Sequence, residues 1–271
     1  PGQLYIIMAS GDENLSNNSY THINFKISDV ESIYLTKDNN IIDSMVIANV
    51  PLGYSFGRHS DYGLFYFSKP TPKAQNNSGT SSVAYIPEFN IESGVYNDSD
   101  GINLEISGNG TIYYTLDGST PTTSSKVYNG PIFLNKTTVV KAISYVEGKL
   151  ISDVQVGSYI INENHTLPVM SVSLNGWQFN NMQSDAWNTE LEYGAYAELY
   201  EDGDSFKIPC GIKLFGGSTR GLAKKSFALK FRKKYGEASL NYQVFENRDY
   251  SFKQRISHNR WVINILSLLC V

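Results

Sequence analysis

The 271-residue sequence is poor in cysteine, histidine and tryptophan, with two, four and three of these residues. Two cysteines, Cys210 and Cys270, are too few for the disulfide framework of a small secreted domain, and they leave the cellular compartment open. The histidines are scattered singly, without the spacing that a zinc site requires. These shortages argue against a disulfide scaffold and against a histidine-based metal centre.

Long apolar runs and an excess of positive charge are also missing. The longest nearly apolar run, WVINILSLLCV at residues 261–271, is too short to span a bilayer. The formal net charge of −4 provides no broad basic field for nucleic acid. We therefore expect neither a membrane span nor a nucleic-acid partner.

Aromatic and β-branched residues dominate what is present. Aromatic residues make up 13% of the chain, and nineteen of them are tyrosine. Short runs of Ile, Val, Tyr, Phe and Thr are separated by Gly, Asn, Asp and Pro, a pattern typical of strands joined by turns. A chain of this length suits two or three domains. The sequence therefore predicts a mainly β protein.

Strands can be assigned along the first half of the chain. We predict them at 23–28, 32–37, 41–50 and 63–68, with KDNN as the hairpin turn between the second and the third. The segment 68–82 is rich in Pro, Ser and Asn and marks a first domain boundary. Beyond it, turn signals at about ten-residue spacing predict a small β-sandwich that ends near residue 163.

The remainder of the chain predicts a third block. It opens with a strand at VMSVSL (169–174), continues into an aromatic-rich insertion, and then forms a hairpin around Asp202 and Gly203. A further strand at 226–234 places Phe227, Leu229 and Phe231 on one face.

The stretch LFGGSTRGLAKKS (214–226) looks like a phosphate-binding loop. It fails as a Walker A motif, because two residues stand between Gly221 and Lys224 and the sequence that follows is strand-like. A glycine-rich turn beside Arg220, Lys224 and Lys225 can still attract phosphate through its backbone amides and positive charge. The alternative is a solvated hairpin loop, and the residues alone leave both readings open.

The other candidate sites lack the residues that catalysis or metal binding would require, or they also fit a structural role. LDGSTPTTSS (116–125) and NDSDG (97–101) are interpreted as turns, since the second lacks the later glutamate of a calcium loop. Glu198 and Glu201 point to opposite faces of a strand and do not form an acid/base pair. Five aromatic residues suit either stacking on sugar rings or core packing: Trp177, Phe179, Trp187, Tyr193 and Tyr196.

Three segments resemble known modules. Residues 112–154, with TLDGSTPT, YNGPI and TTVVKA, are similar to the β-sandwich appended to chitobiases and β-hexosaminidases. Residues 1–78 resemble the later part of a lamin-tail domain. From residue 167 to about 253, with GIKLFGGSTR followed by KKSFALKF, the chain resembles the start of a CotH-type (spore coat protein H) kinase.

The resemblance implies two immunoglobulin-like β-sandwiches followed by a truncated α+β kinase-like lobe. The domains would be 1–78, 79–163 and 164–271, with an atypical tail at about 254–271. In the intact parent kinase, ATP and Mg²⁺ would be cofactors and serines of partner proteins the substrates. The nucleotide-binding residues that the resemblance assigns are Ser218, Arg220, Lys224 and Lys225.

The catalytic and metal-binding carboxylates of this family come later in its sequence, so we expect no catalytic or metal-binding residue in this chain. The chain itself is expected to be inactive, to require no cofactor and to act at most as a binding module. The parent protein is expected at a bacterial cell surface, secreted or in a spore coat, with a cell-wall or spore-coat protein or polysaccharide as partner. The alternative is a surface adhesion or scaffold protein that binds carbohydrate or protein.

Overall fold

The computed structural model is mainly β, as the sequence predicts. The chain divides into two units, one of Pro1–Val83 with Gly148–Leu150 and one of Ala84–Glu147 with Ile151–Val271. No helix in the described part of the chain is long and apolar enough to cross a membrane. The structure describes residues 4–27, 31–47, 50–51, 53–59, 63–76, 78–97, 100–201, 204–223, 225–236, 239–242 and 252–253.

The described strands of the first unit occur in pairs. The pairs are β1 (Ile7–Met8) with β2 (Thr21–His22), β3 (Glu31–Lys37) with β4 (Asn40–Ile47), and β5 (Ser55–Arg58) with β6 (Leu64–Phe67). A short 3₁₀ helix, Glu13–Leu15, precedes β2.

The turn between β3 and β4 confirms the predicted KDNN hairpin. Asp38 and Asn39 have φ angles of 50° and 64°. Positive φ at both central residues is the requirement of a two-residue turn that matches the twist of its strands, and Asn and Asp tolerate it best after glycine.

The strand predicted at 23–28 is wrong for its described residues, which form no strand. The backbone N–H of Gly11 donates to the carbonyls of both Ile23, at 3.0 Å, and Phe25, at 3.1 Å. Carbonyls two residues apart on an extended strand are too far apart to share one donor. The chain therefore bends at this point instead of extending.

The second unit begins with a β-rich segment in two layers. A five-stranded sheet has the order β12-β11-β14-β15-β8, in which β8 runs parallel to β15, and two short sheets pair β9 with β13 and β7 with β10. Leu104, Val140 and Tyr159 share one buried core between these layers. The strands are β7 (Glu88–Phe89), β8 (Gly94–Tyr96), β9 (Ile102–Leu104), β10 (Ile106–Ser107), β11 (Thr111–Thr115), β12 (Lys126–Val127), β13 (Ile132–Leu134), β14 (Thr138–Tyr145) and β15 (Gln155–Ile161).

A four-stranded antiparallel sheet, ordered β16-β17-β18-β19, and one helix follow. The strand at VMSVSL and the long hairpin are confirmed, although Asp202 and Gly203 at its turn lie outside the described residues, as does the tail from 254 to 271. The elements are β16 (Val169–Ser173), α1 (Gly176–Ser184), β17 (Tyr193–Glu201), β18 (Asp204–Phe215), β19 (Ser226–Lys230), β20 (Ser239–Leu240) and β21 (Phe252–Lys253), with a 3₁₀ turn at Ser218–Gly221.

The last strand of this sheet is shorter than predicted. It ends at Lys230, because a turn follows in which the N–H of Tyr235 donates to the carbonyl of Arg232 at 2.8 Å. The turn places the Tyr235 ring against Gly211, where a Cβ atom would lie 2.3 Å from the ring. The predicted apolar face is confirmed, because Leu229 and Phe231 are buried in the core beneath α1 and Phe227 packs against it.

The five-stranded and four-stranded sheets pack face to face within the second unit. The hydroxyls of Ser158 on β15 and Ser171 on β16 lie 2.7 Å apart. The Tyr200 hydroxyl donates to the Ser158 carbonyl at 3.2 Å, and the N–H of Thr120 donates to the Asn175 side chain at 2.8 Å. The boundary predicted near residue 163 thus falls between two sheets that share a buried surface.

Candidate functional site

The glycine-rich loop connects β18 and β19, whose final pair is Phe215 with Ser226. Gly216 has a φ of 108°, and a Cβ atom at this position would lie 2.1 Å from Thr219 Oγ1. Both the backbone angle and the lack of space therefore require glycine here. The sequence forms a tight, defined loop at the end of a hairpin.

Arg220 holds this loop from the inside. Its side chain is buried, with 7% of the residue exposed. Nε donates to the Gly216 carbonyl at 2.6 Å, Nη1 to the Ala186 carbonyl at 3.0 Å, and Nη2 to the Leu214 carbonyl at 2.8 Å. The guanidinium thereby ties the loop to the end of β18 and to the segment that follows α1.

The other predicted residues lie in the same loop. Lys225 Nζ donates to the carbonyls of Arg220, at 2.7 Å, and Leu222, at 3.0 Å. Ser218 is exposed, and Lys224 lies outside the described residues. The charged groups of Arg220 and Lys225 are directed at carbonyls of the loop, and the phosphate-binding role of all four residues stays a prediction.

Two tryptophans lie exposed near this loop. Trp187 is 66% exposed, and a Cβ atom at Gly221 would lie 3.6 Å from Trp187 Cζ2. Leu222, next in the chain, is also exposed. Trp177 is exposed at the start of α1 and meets the Tyr193 ring edge-on at 5.6 Å.

The remaining predicted aromatic residues are engaged in packing. Phe179 stacks on Phe227 with 6.1 Å between ring centroids, and the Tyr196 ring lies 5.2 Å from the ammonium of Lys141. Of the five aromatic residues, Trp177 and Trp187 are therefore the ones available for stacking on a ligand.

A buried cluster of polar side chains between the two sheets was not predicted. Glu198 on β17 is 1% exposed, and its Oε2 accepts a short hydrogen bond from the Ser158 hydroxyl. Its Oε1 has no hydrogen-bond partner within the described residues, and Lys207 Nζ lies 4.0 Å away. The cluster therefore holds an incompletely paired carboxylate in the interior.

Lys141 on β14 belongs to the same cluster and is 2% exposed. Burial lowers the pKa of Lys141 to about 8, against the opposing pull of Glu198 and Asp117. A sequence signal for this burial exists, since Lys141 stands between Val140 and Ala142 in a strand with apolar residues on both faces. Such a lysine is best explained by a second layer covering the sheet.

The turn at 116–125 is confirmed as a turn. Gly118 has a φ of 75°, and Asp117 Oδ1 accepts from the N–H and the hydroxyl of Ser119, at 3.0 and 2.5 Å. Burial is the largest single influence on the pKa of Asp117 and raises it. The hydrogen bonds from Ser119 act in the opposite direction and help to hold that pKa below its usual value. The NDSDG turn falls partly on residues 98 and 99, outside the described residues.

Two clefts in the described part of the second unit have volumes of about 260 and 460 Å³. The smaller is lined by residues of both sheets, among them Gln155, Tyr200 and Lys207. The larger lies on the β-rich segment, where Tyr114 of β11, Lys126 of β12 and Phe133 of β13 line it. The larger cleft has the size of a small-molecule site.

Among the described residues, no group of three or more His, Cys, Asp or Glu side chains is placed to hold a metal ion. His22 Nδ1 lies 3.0 Å from the Ser10 hydroxyl, and His165 Nε2 lies 3.3 Å from Glu163. Cys210 is free and buried, and burial raises the pKa of its thiol to about 12. Cys270 and His258 lie outside the described residues.

Comparison with known proteins finds one similarity, which covers part of the second unit. The family model described as Fn3 associated matches residues 102–159, which run from β9 into β15. This part of the second unit is therefore similar to an Fn3-associated module, while the four-stranded sheet and the glycine-rich loop lie outside the match. Neither a curated protein nor a solved structure gives a significant match to the chain.

Proposed function

We propose that the chain is the β-rich binding part of a CotH-type protein kinase of a bacterial surface, and that it binds a cell-wall or spore-coat partner without transferring phosphate itself. In this proposal residues 1–78 and 79–163 are immunoglobulin-like sandwiches used for attachment, and residues 164–271 are a kinase-like lobe. ATP, Mg²⁺ and serine-containing substrates belong to the intact parent kinase.

The engagement of Arg220 is the observation that carries this proposal. Turning the guanidinium toward a phosphate would leave the carbonyls of Gly216, Ala186 and Leu214 without these donors. Each buried polar group left unpaired costs about 1–3 kcal/mol. The loop is better suited to hold a fixed surface shape than to close around a nucleotide.

Exposed apolar side chains beside the loop support a binding role. Trp187 and Leu222 flank Gly221 on the surface, and Trp177 lies exposed at the other end of α1. Rigid aromatic side chains provide large contact areas for sugar rings or protein partners at a low entropic cost. The similarity of residues 102–159 to an Fn3-associated module is consistent with an accessory, attachment-type protein.

A nucleotide-facing turn is the second candidate. The loop lies at the end of the β18–β19 hairpin, the place that a kinase uses to cover phosphates, and Ser218 and Thr219 are exposed there. In this reading Lys224 and backbone amides would meet the phosphates, while Arg220 and Lys225 would fix the loop.

An ATP titration separates the two candidates. Trp187 lies beside Gly221, so its fluorescence reports on ligands at the loop, and Trp187→Phe removes that signal while Trp177→Phe serves as the matched control. We expect no saturable change with MgATP and no phosphate release. In parallel, purified bacterial cell wall should retain the wild-type chain and retain Trp187→Ala less well.

Three results would count against the proposal: Mg²⁺-dependent ATP hydrolysis, serine phosphorylation, or a saturable signal that depends on Trp187. If purified cell wall does not retain the wild-type chain, the proposed binding role is wrong. Retention with a nucleotide signal would favour the second candidate.

A further inference from the structure

The 460 Å³ cleft of the second unit is formed entirely by residues that lie inside the Fn3-associated match. It is lined by residues 114–117, 125–126 and 133–138. Small-molecule sites are clefts or cavities of about 300–1,000 Å³. The cleft is therefore large enough for a ligand, and it is separate from the glycine-rich loop at 214–226.

An exposed but fixed aromatic ring forms one wall of the cleft. Phe133 is 57% exposed although it is a large apolar side chain on a strand. Its ring lies over Gly101, where a Cβ atom would be only 2.6 Å from Phe133 Cζ. Tyr114 also lines the cleft, but its ring packs against the buried core of Ile106, Ile112 and Ala142 and meets Tyr128 edge-on at 6.4 Å. The exposed ring of Phe133 can stack on the apolar face of a pyranose.

Several polar groups of the cleft are already committed and define its shape. The Thr115 hydroxyl donates to the Ser119 carbonyl at 2.7 Å, and the Thr137 hydroxyl accepts from the N–H of Ile161 at 3.1 Å. Asp117 is held by Ser119, as described above. These bonds pre-organise the lining, which lowers the cost of binding.

The charge of the cleft is positive on balance. Lys126 and Lys136 line it and are exposed, and within the described residues no ion pair holds either ammonium. Asp117 is the acidic residue of the lining, and Glu163, outside the lining, accepts from the Thr137 hydroxyl and lies 3.3 Å from His165 Nε2. Two lysines against one carboxylate favour a ligand that carries negative charge.

From these contacts we propose that the cleft binds a pyranose ring that carries a carboxylate, as in a uronic-acid polysaccharide. Phe133 would stack on the ring, Tyr114 would form part of the cleft floor, and Lys126 and Lys136 would pair with the carboxylate. This inference deepens the binding role proposed above and rests on it, because it assigns a ligand class to a chain proposed to attach to a surface polysaccharide.

The test is calorimetric titration of the whole chain with a trigalacturonate, with a neutral galactose trimer of the same linkage, and with ADP. We expect saturable binding of the uronate, binding of the neutral trimer weaker by about tenfold or more, and no binding of ADP. Phe133→Ala should weaken uronate binding by about tenfold or more. The double variant Lys126→Gln, Lys136→Gln should bind both trimers equally.

Tyr145→Ala is the matched control, because Tyr145 on β14 is an exposed aromatic residue of the same β-rich segment that does not line the cleft. Uronate binding unaffected by Phe133→Ala would overturn the site but leave the proposed function standing. Equal binding of both trimers by the wild type would overturn the carboxylate preference, and ADP binding that requires Phe133 would overturn the saccharide class. Cell-wall retention without any uronate binding would end this inference alone, whereas failure of both would end the proposed function as well.

Discussion

The second unit is held together by two interiors of opposite chemistry. Between the layers of the β-rich segment, Leu104, Val140 and Tyr159 form an apolar core. Between the five-stranded and four-stranded sheets, the buried side chains include Lys141 and Glu198. Apolar burial stabilises in proportion to area, and an apolar core tolerates the exchange of one apolar side chain for another of similar volume. A buried charge is tolerated only where its partners are in place, so the polar layer specifies one alignment of the two sheets.

Mutations in the two interiors should therefore have different effects. Breaking the apolar core should unfold the β-rich segment, whereas breaking the polar layer should first separate the two sheets. The face of the five-stranded sheet that carries Ser158 and Lys141 would then meet water. Four measurements, ordered from the largest expected effect to the smallest, test this contrast.

Removal of the buried carboxylate should have the largest effect. Glu198→Ala leaves Lys141 and Lys207 without their anion, and a lost partner of a buried charge costs about 4 kcal/mol. Urea unfolding measures this loss of unfolding free energy. The double variant Glu198→Met, Lys141→Met should recover most of the loss, because it removes both charges from the interior. Wild-type stability in Glu198→Ala alone would show that the polar layer is dispensable.

Truncation in the apolar core should cost slightly less. Leu104 has no exposed surface, and Leu104→Ala should lower the unfolding free energy by about 3 kcal/mol through lost burial and a residual cavity. Val127→Ala on the exposed strand β12 provides the control and should change little. Equal effects at the two positions would contradict the assigned core.

The pH dependence of stability isolates Lys141. Burial lowers the pKa of Lys141 from 10.5 to about 8 in the folded state. Between these values the unfolded chain binds more protons than the folded chain, so the contribution of this group to stability rises with pH. We compare the unfolding free energies of the wild type and Lys141→Met at pH 8 and at pH 10. The difference, wild type minus variant, should rise by about 2 kcal/mol between the two pH values. The subtraction cancels the titration of tyrosines and Cys210, and a constant difference would contradict the burial.

The smallest effect is expected at the exposed ion pair of the first unit. Arg58 donates two hydrogen bonds of 2.6 Å to Asp43, and these bonds hold the pKa of Asp43 below its usual value. Both side chains are about half exposed, where solvent screens their attraction. Asp43→Asn should leave thermal unfolding unchanged within error at pH 7. A clear drop in melting temperature would show that exposed charges matter here as much as buried ones.

Local signals in the sequence were sufficient for most strands. The hairpin of β3 and β4 follows from alternation and from Asp38 and Asn39 at its turn. The apolar face of β19 follows from Phe227, Leu229 and Phe231, which occupy alternate positions. These features depend on residues that are close in sequence, and therefore one sequence is enough to predict them.

Features that depend on distant residues could not be predicted in the same way. Arg220 points inward because the carbonyl of Ala186, 34 positions away, accepts from it. Glu198 is buried because Ser158, 40 positions away, lies on a second sheet. The helix at Gly176–Ser184 contains two adjacent asparagines and has no strong apolar period, so its sequence does not indicate a helix clearly. Charge and glycine pattern alone therefore suggested an open phosphate loop at 214–226.

The parallel pairing of β8 with β15 affects any attempt to dissect this protein. The Fn3-associated match starts at residue 102, whereas β8 and the rings of Phe89 and Tyr96, which pack near Tyr159, come earlier in the chain. A fragment cut at the matched boundaries would lack β8 and would also end inside β15, before Ile160 and Ile161, which pair with β8. Open, apolar strand edges pair with one another and seed aggregation. A fragment that keeps these strands paired must therefore begin before Glu88 and extend beyond Ile161.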